Sequence, residues 1–316
     1  MLLKYVIRDT KYQNINQILN QEFKISSRLF SKLISNQHVF LNGVIVDTRN
    51  TVNINDVISV NLDFEETSEN IVSTKMKLDI IYEDDSLLIL NKPAGIAVHP
   101  SVSHYKDSLS NGVKFYFDTI NLKRKIRPVN RLDLNTSGLI IFAKNEYIQE
   151  CLIKQMNTNI FKKEYLAIAT GVLNNKSGII DLPIARKENS IIERCIADDG
   201  QKAITEYTVL EDCSDFCLVN CVLQTGRTHQ IRVHFSAIDH PLLGDSLYGS
   251  PSDLISRQAL HSYKVSFVHP ISKKQITLSC DLPLDMCNVL ISKIWLFFSI
   301  LCTFMKKDVI ICKWVN

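Results

Sequence analysis

The sequence predicts an α+β protein in two parts, on three observations. From Leu78 onward the chain breaks into many short apolar runs separated by turn residues, with few stretches at helical spacing. No glycine pair has the spacing of a nucleotide-binding G-x-G-x-x-G loop, which argues against an alternating dinucleotide fold. Residues 1–62 carry helix and hairpin signals of their own, and 316 residues exceed the ~150 of a single typical domain. The expected organisation is therefore a small α+β domain over 1–62, an acidic linker over 63–76 (DFEETSENIVSTKM), a larger domain over 77–288 and an apolar tail over 289–316.

The elements follow in order. Ile25, Leu29, Phe30, Leu33 and Ile34 recur at helical spacing, so one face of that helix is buried. Lys24, Arg28 and Lys32 are spaced by four and predict a basic stripe on the same helix. Val39 to Leu41 and Val44 to Val46 flank Asn42-Gly43, a pair suited to a type I′ turn, and so read as a hairpin. Asn55-Asp56 gives a turn into a strand over Val57 to Val60. Asp79 to Asn91 reads as strand, turn, strand. Asn145 is placed to cap a helix with Ile148, Leu152 and Met156 on one face. Further strands are expected at Glu164–Ala169, Thr205–Leu210, Phe216–Leu223 and Tyr263–Val268. A strand from His229 to His234 would put Gln230, Arg232 and His234 on one face.

A hydrophobic content of 46% with 22% charge describes a globular chain and excludes disorder. The net charge of +3 is too small to argue for a nucleic-acid partner, but its distribution is informative. Lys123, Arg124, Lys125, Arg127 and Arg131 crowd into 121–132 without an acidic residue, which suits an anionic substrate. Nine cysteines include no C-x-x-C pair, and eight histidines include no H-E-x-x-H, so no metal site is expected. Cys213, Cys217 and Cys221 share a face in either periodicity and read as buried thiols. Charges enter too early in MLLKYVIRDTKY for a signal peptide, and unpaired thiols imply a reducing compartment, so a cytoplasmic protein is expected. The uncharged run IWLFFSILCTFM has twelve residues, fewer than the ~20 of a spanning helix, and no membrane association is expected.

The segment NRLDLNTSG (130–138) runs into the apolar stretch Leu139 to Ala143. An Asp at a strand entrance is commonly a solvated turn residue. Here Asp133 follows Arg131 by two positions and a strongly basic stretch, and becomes the candidate reactive carboxylate. Four more blocks accompany it: LNKPAGIAVHP (90–100), KKEYLAIATG (162–171), LQTGRTHQIRVH (223–234) and HPLLGDSLYG (240–249). With the Asp133 segment they hold Gly95, Gly138, Gly171, Gly226, Gly244 and Gly249, six of the ten glycines, as tight turns and close backbone approach require.

These five ordered blocks resemble the RluA-type family of RNA pseudouridine synthases over about residues 78–285. Residues 1–62 are similar to the S4 RNA-binding domain in the order of short helices, NG hairpin and closing turn and strand, with Asn55 where glycine is usual. The resemblance implies a catalytic domain with a central, mostly antiparallel mixed sheet and flanking helices. It also implies an isomerase that detaches uracil from C1′ of its ribose and rejoins it through C5, with no cofactor. By resemblance, Asp133 attacks the sugar or base or stabilises developing charge. Arg232 offsets the cost of keeping that carboxylate ionised in a dry pocket. Tyr165 packs on the uracil and helps remove the C5 proton, and Leu132 or Ile231 adds apolar walls. Arg131 fills the space left by the flipped base. Lys123, Arg124, Lys125, Lys162 and Lys163 hold phosphates, as do Lys24, Arg28 and Lys32 on the small domain. Asn130 replaces the family's usual His, which alters a phosphate or base contact. The expected partner is RNA, large-subunit ribosomal RNA before transfer RNA, with no obligatory protein partner and a monomeric state. A non-catalytic RNA-binding or ribosome-assembly factor is the competing reading. A glycosidase-like hydrolase would need a second carboxylate near Asp133, and the motif offers none.

Overall fold

The computed structural model describes residues 1–292 apart from Thr48 and Asn159, so most of the apolar tail lies outside the described residues. The chain divides into two compact units, one of Met1–Lys162 with Lys264–Cys280, the other of Lys163–Tyr263 with the residues from Asp281 on.

The first unit opens with β1 (Leu2–Val6), α1 (Ile15–Gln21), α2 (Ser27–Ser35), β2 (Val39–Leu41), β3 (Val44–Ile45) and β4 (Val57–Asn61). The strands form a sheet in the order β1-β4-β2-β3, antiparallel throughout. Asn14 and Ser26 cap the two helices by accepting the Gln17 and Leu29 backbone N–H groups. The β2–β3 turn is the expected one, with Asn42 at φ 51° and Gly43 at φ 86°. Asn55 sits at φ 77°, a left-handed conformation that asparagine tolerates better than most side chains. The basic stripe needs correction. Lys24 lies ahead of the Ser26 cap at φ 54° and is not on α2, which leaves Arg28 and Lys32 as its basic pair.

The unit continues with β5 (Ile80–Glu83), β6 (Leu87–Lys92), α3 (Leu109–Thr119), β7 (Ser137–Ala143) and α4 (Glu146–Met156). Helix α4 starts at the expected Asn145 cap, whose Oδ1 accepts the Ile148 N–H at 2.9 Å. Helix α3 has no counterpart among the expected elements. Its start is marked by Asn111, which accepts the Ser108 backbone N–H at 3.0 Å where a Glu or Gln is the commoner signal. All seven residues of β7 are buried, and β6 pairs with it antiparallel from Leu87↔Ala143 to Lys92↔Gly138. Leu29, Leu33, Val39 and Val60 join Leu87, Ile89, Leu139 and Ile141 of β6 and β7 in one apolar cluster with Ile148 and Leu152 of α4.

The second unit contains β8 (Lys162–Thr170), β9 (Ser177–Asp181), β10 (Ile184–Arg186), β11 (Arg194–Ile196), β12 (Ile204–Asp212), β13 (Phe216–Leu223), α5 (Gln230–Ala237) and the start of β14 (Leu260–Val268). Its strands run in the order β14-β8-β13-β12-β9, with β10 and β11 as a separate ribbon. The end of β14 and β15 (Gln275–Ser279) belong to the first unit and pair antiparallel. Residues 230–237 correct a second expectation, because they form helix α5 and not a strand. Every residue from Gln230 to Phe235 is buried, so hydrophobic alternation carries no information there. The helix is set instead by His229 at φ 59° and by Gln230, whose Oε1 accepts from the Thr225 hydroxyl (2.8 Å) and the Arg227 N–H (2.9 Å).

Residues 63–66 are bound along their length to the basic run. Asp63 pairs with Arg124, and Glu65 with Lys123 at 3.1 Å. Glu66 accepts two bonds from the Arg127 guanidinium, at 2.7 and 2.8 Å, and pairs with Lys32 of α2. Burial works against the Glu66 charge, but the hydrogen bonds from Arg127 and Lys32 outweigh it and hold the carboxyl below its ordinary value of 4.5. No helix among the described residues is long and apolar enough to cross a membrane.

Arg127→Met would leave the buried Glu66 carboxylate with Lys32 alone and is expected to cost about 3 kcal/mol at pH 7. Because the folded pKa is depressed, the stabilisation is present in full above the ordinary value of 4.5 and disappears as pH falls through the folded value. Urea unfolding of both proteins from pH 7 downward checks this, since the gap in midpoints must narrow below that value.

Candidate active site

Asp133 stands in a turn anchored by backbone and buried charge. The preceding strand-like segment lies along β7 through the Val129 N–H bond to the Ile141 carbonyl (2.7 Å), and the Ala143 N–H bonds to the Arg127 carbonyl (2.8 Å). The turn closes with the Thr136 N–H on the Asp133 carbonyl at 3.1 Å. Gly138, at φ 108°, then admits the chain to β7.

The adjoining residue, Leu134, is gripped from the KPAG block. Gly95 N–H donates to its carbonyl at 3.0 Å. Lys92, fully buried at the end of β6, donates from Nζ to the carbonyls of Pro93, Ile96 and Leu134, each at 2.9 Å. A buried ammonium is tolerated because these oxygens replace its water. Sequence reasoning found this block but gave Lys92 no task; the signal was a lysine closing an otherwise apolar strand.

Asn130 acts on the same strand. Its Oδ1 accepts the Ile141 N–H at 2.9 Å and its Nδ2 donates to the Leu139 carbonyl at 3.3 Å. The side-chain amide thus imitates a peptide group beside β7, with donor and acceptor close together on one plane. Arg131 is exposed, Leu132 is buried and Asp133 is half-buried.

His99, in the same unit, is a further site residue that the sequence did not single out. Its Nδ1 lies 3.2 Å from the Ser110 hydroxyl. Crowding by protein atoms and the Arg131 charge hold the imidazole below its ordinary value, although part of its surface remains open. His99, Arg28, Lys125, Arg127, Glu146 and Gln149 line a pocket of roughly 230 Å³. Arg28 reaches the Glu146 carboxylate at 3.4 Å, whereas Lys125 makes no ion pair among the described residues. The expected phosphate-holding residues are thus unequal. Lys123 and Arg124 face the carboxylates of Glu65 and Asp63, Lys32 faces Glu66, and Lys24 and Lys125 are exposed without such partners among the described residues.

In the second unit, β8 alternates so that Lys163 and Tyr165 are buried, while Lys162 is exposed and Glu164 half-buried. Tyr165 is opposite Cys221 of β13. Glu164 accepts from the Tyr263 hydroxyl at 3.0 Å, and burial, together with this bond, pushes the Tyr263 phenol up to about 12. Arg232 of α5 is fixed by a bidentate pair with the fully buried Asp245, Nε to Oδ2 at 2.7 Å and Nη2 to Oδ1 at 2.8 Å. Asp245 also accepts the N–H groups of Leu247 and Tyr248, and the Tyr248 ring centroid lies 5.0 Å from the Arg232 guanidinium carbon. The Tyr248 hydroxyl in turn meets His229 Nδ1 at 2.8 Å. The GDSLYG block therefore has a definite task, which its glycines alone did not disclose: Asp245 and Tyr248 orient Arg232. Among the described residues, no group of three or more His, Cys, Asp or Glu is arranged to hold a metal ion.

Residues 86–237 match the family model described as RNA pseudouridylate synthase. Over 270 residues the chain is 36% identical to the uncharacterized RNA pseudouridine synthase YjbO of Bacillus subtilis (strain 168), covering 85% of this chain and 95% of that one. It is 38% identical over 274 residues to YhcT of the same organism, covering 86% and 90%. It is also 32% identical over 274 residues to the ribosomal large subunit pseudouridine synthase D of Xanthomonas campestris pv. campestris, covering 82% of each. Among solved structures, human RNA pseudouridylate synthase domain containing 1 shares the fold with a TM-score of 0.55 and 24% identity, over 65% of this chain and 83% of that one.

Asn130→Ala would leave the Ile141 N–H and Leu139 carbonyl without that partner and is expected to destabilise the protein by about 1–2 kcal/mol. Urea unfolding gives the stability and a filter-binding titration the RNA affinity. A positioning role predicts a lowered midpoint with affinity little changed, and a direct RNA contact predicts the reverse.

Proposed function

The chain belongs to the RNA pseudouridylate synthase family, and from that premise we propose that it isomerises specific uridines of large-subunit ribosomal RNA, with Asp133 as the nucleophile. As a member of that family it is an isomerase acting on RNA. The observation that carries the finer reading is the Asp133 turn, held through Leu134 by both Gly95 and the buried ammonium of Lys92. A carboxylate that must meet one sugar carbon needs its backbone fixed before substrate arrives.

The reaction breaks the C1′–N1 bond, turns the base, forms the C1′–C5 bond, removes the C5 proton and places one on N1, with no net change in composition or redox state. Asp133 supplies the anion that bonds to or stabilises the reacting carbon. Tyr165 packs against the uracil and assists proton removal at C5. Arg232, oriented by Asp245, is the cation we assign to the reaction beside that carboxylate. The uridine leaves its stack to reach the site, at roughly a few kcal/mol, and Arg131, exposed beside Leu132, occupies the gap. Residues 1–62 act as an S4-like module whose Arg28 contributes to the pocket with Lys125 and His99, adding phosphate contacts on a large structured RNA. Support for the ribosomal target comes from relatives named ribosomal large subunit pseudouridine synthase D.

The test is incubation of the protein with ribosomal RNA and, separately, transfer RNA from a strain lacking the gene, followed by chemical mapping of pseudouridine. The expected result is a discrete mark on large-subunit RNA, lost by about 10⁴-fold or more in rate with Asp133→Asn. Marks confined to transfer RNA would reassign the substrate, and equal marks from wild type and Asp133→Asn would sink the nucleophile.

A further inference from the structure

Lys163 is buried, being 9% exposed, yet its ammonium forms no ion pair or hydrogen bond among the described residues. Lys92 shows how this protein ordinarily keeps a buried amine, with three carbonyls on one Nζ. Lys163 has no such cage, and burial pulls it down to about 8. A charge left in this state has a cost in stability that a structural lysine would not carry.

Two features say what completes it. Strand β8 sets Lys163 two residues before Tyr165 on its buried face, and Lys162 on the opposite, exposed face. Over the amine lies Gly226, itself exposed, where an added Cβ would come within 3.0 Å of Nζ. Gln230 fixes that turn through the Thr225 hydroxyl and the Arg227 N–H. The amine of this mostly buried side chain thus lies beside an exposed, bare glycine, with no described protein partner and open to a ligand that arrives from solvent.

We propose that Lys163 holds a phosphate of the flipped nucleotide itself, reached past Gly226, and so acts at a different stage from the exposed cations that meet the RNA surface. The proposal rests on the reading of Tyr165 as the residue that packs on the target uracil. Alternate residues on a strand face have backbones about 6.8 Å apart, so Lys163 and Tyr165 are neighbours on one face and can address adjoining parts of one nucleotide. An amine set on the same face of β8 as Tyr165 meets that phosphate once the nucleotide has left its stack and its base has reached the tyrosine. The contact therefore favours the committed complex over the first encounter.

The probe is an RNA oligonucleotide carrying the mapped target uridine, with the phosphodiester on its 5′ or its 3′ side replaced by an uncharged methylphosphonate. Single-turnover rates are compared for wild type, Lys163→Met, Lys162→Met and Gly226→Ala. One of the two replacements should slow wild type by about tenfold or more. Lys163→Met should be slow on unmodified RNA and indifferent to the replacement, while Lys162→Met keeps the wild-type sensitivity. Gly226→Ala, whose methyl group would stand within 3.0 Å of Nζ and crowd the approach to it, should lower the rate and the sensitivity in the same direction as Lys163→Met. Removing a buried charge should leave the melting temperature of Lys163→Met equal or higher, and Gly226→Ala carries the test if that variant fails to fold. The same penalty in wild type and Lys163→Met at both positions would overturn the proposal. A slow Lys163→Met that keeps full sensitivity would instead put the amine on the base and overturn it too. If wild type modifies no uridine in either RNA pool, the activity reading fails and this proposal falls with it; conversion without coupling rejects the lysine role alone.

Discussion

The ammonium of Lys92, buried at the end of β6 and bonded to the carbonyls of Pro93, Ile96 and Leu134, is the interaction on which the Asp133 turn depends. An unpaired charge in that position would be prohibitively expensive, so the loop carbonyls cannot drift without exposing the cost. The loops on either side are thereby made rigid by electrostatics where hydrophobic packing cannot reach, since turns have few apolar side chains. Asn130 completes the arrangement from the other side by bonding two backbone groups of β7. Both side chains belong to conspicuous motifs, yet both spend their polar atoms on the backbone.

The basic run 123–127 illustrates why local charge in a sequence overstates local charge on a surface. Asp63, Glu65 and Glu66, distant in sequence, return to pair with Arg124, Lys123 and Arg127. What remains for an anionic ligand is narrower, namely exposed Lys125 beside Arg28 and His99. Lys163 shows the complementary error: a lysine counted with surface cations in the sequence is buried, on the face of β8 opposite to exposed Lys162.

Much of the architecture was legible because the signals were local. The NG turn, the Asn145 cap and the run Phe216–Leu223 depend on φ preferences, side-chain capping and β-branched apolar residues within a few positions. The failures were also physical. Lys24 fits a spacing of four but sits in a left-handed turn before the helix, and Gln230–Ala237 is buried all along its first six residues, so periodicity could not tell helix from strand.

By itself the sequence determined the α+β class, most strand and helix positions, the family through its ordered blocks, and Asp133, Tyr165 and Arg232 as the residues to watch. Tertiary structure alone decided the partners of those blocks: Asp245 on Arg232, Lys92 on Leu134, Asn130 on β7 and no described partner on Lys163. The reason is that propensity and motif spacing are set by neighbours in the chain. Burial of a charge and its compensation are set by groups that only folding brings together.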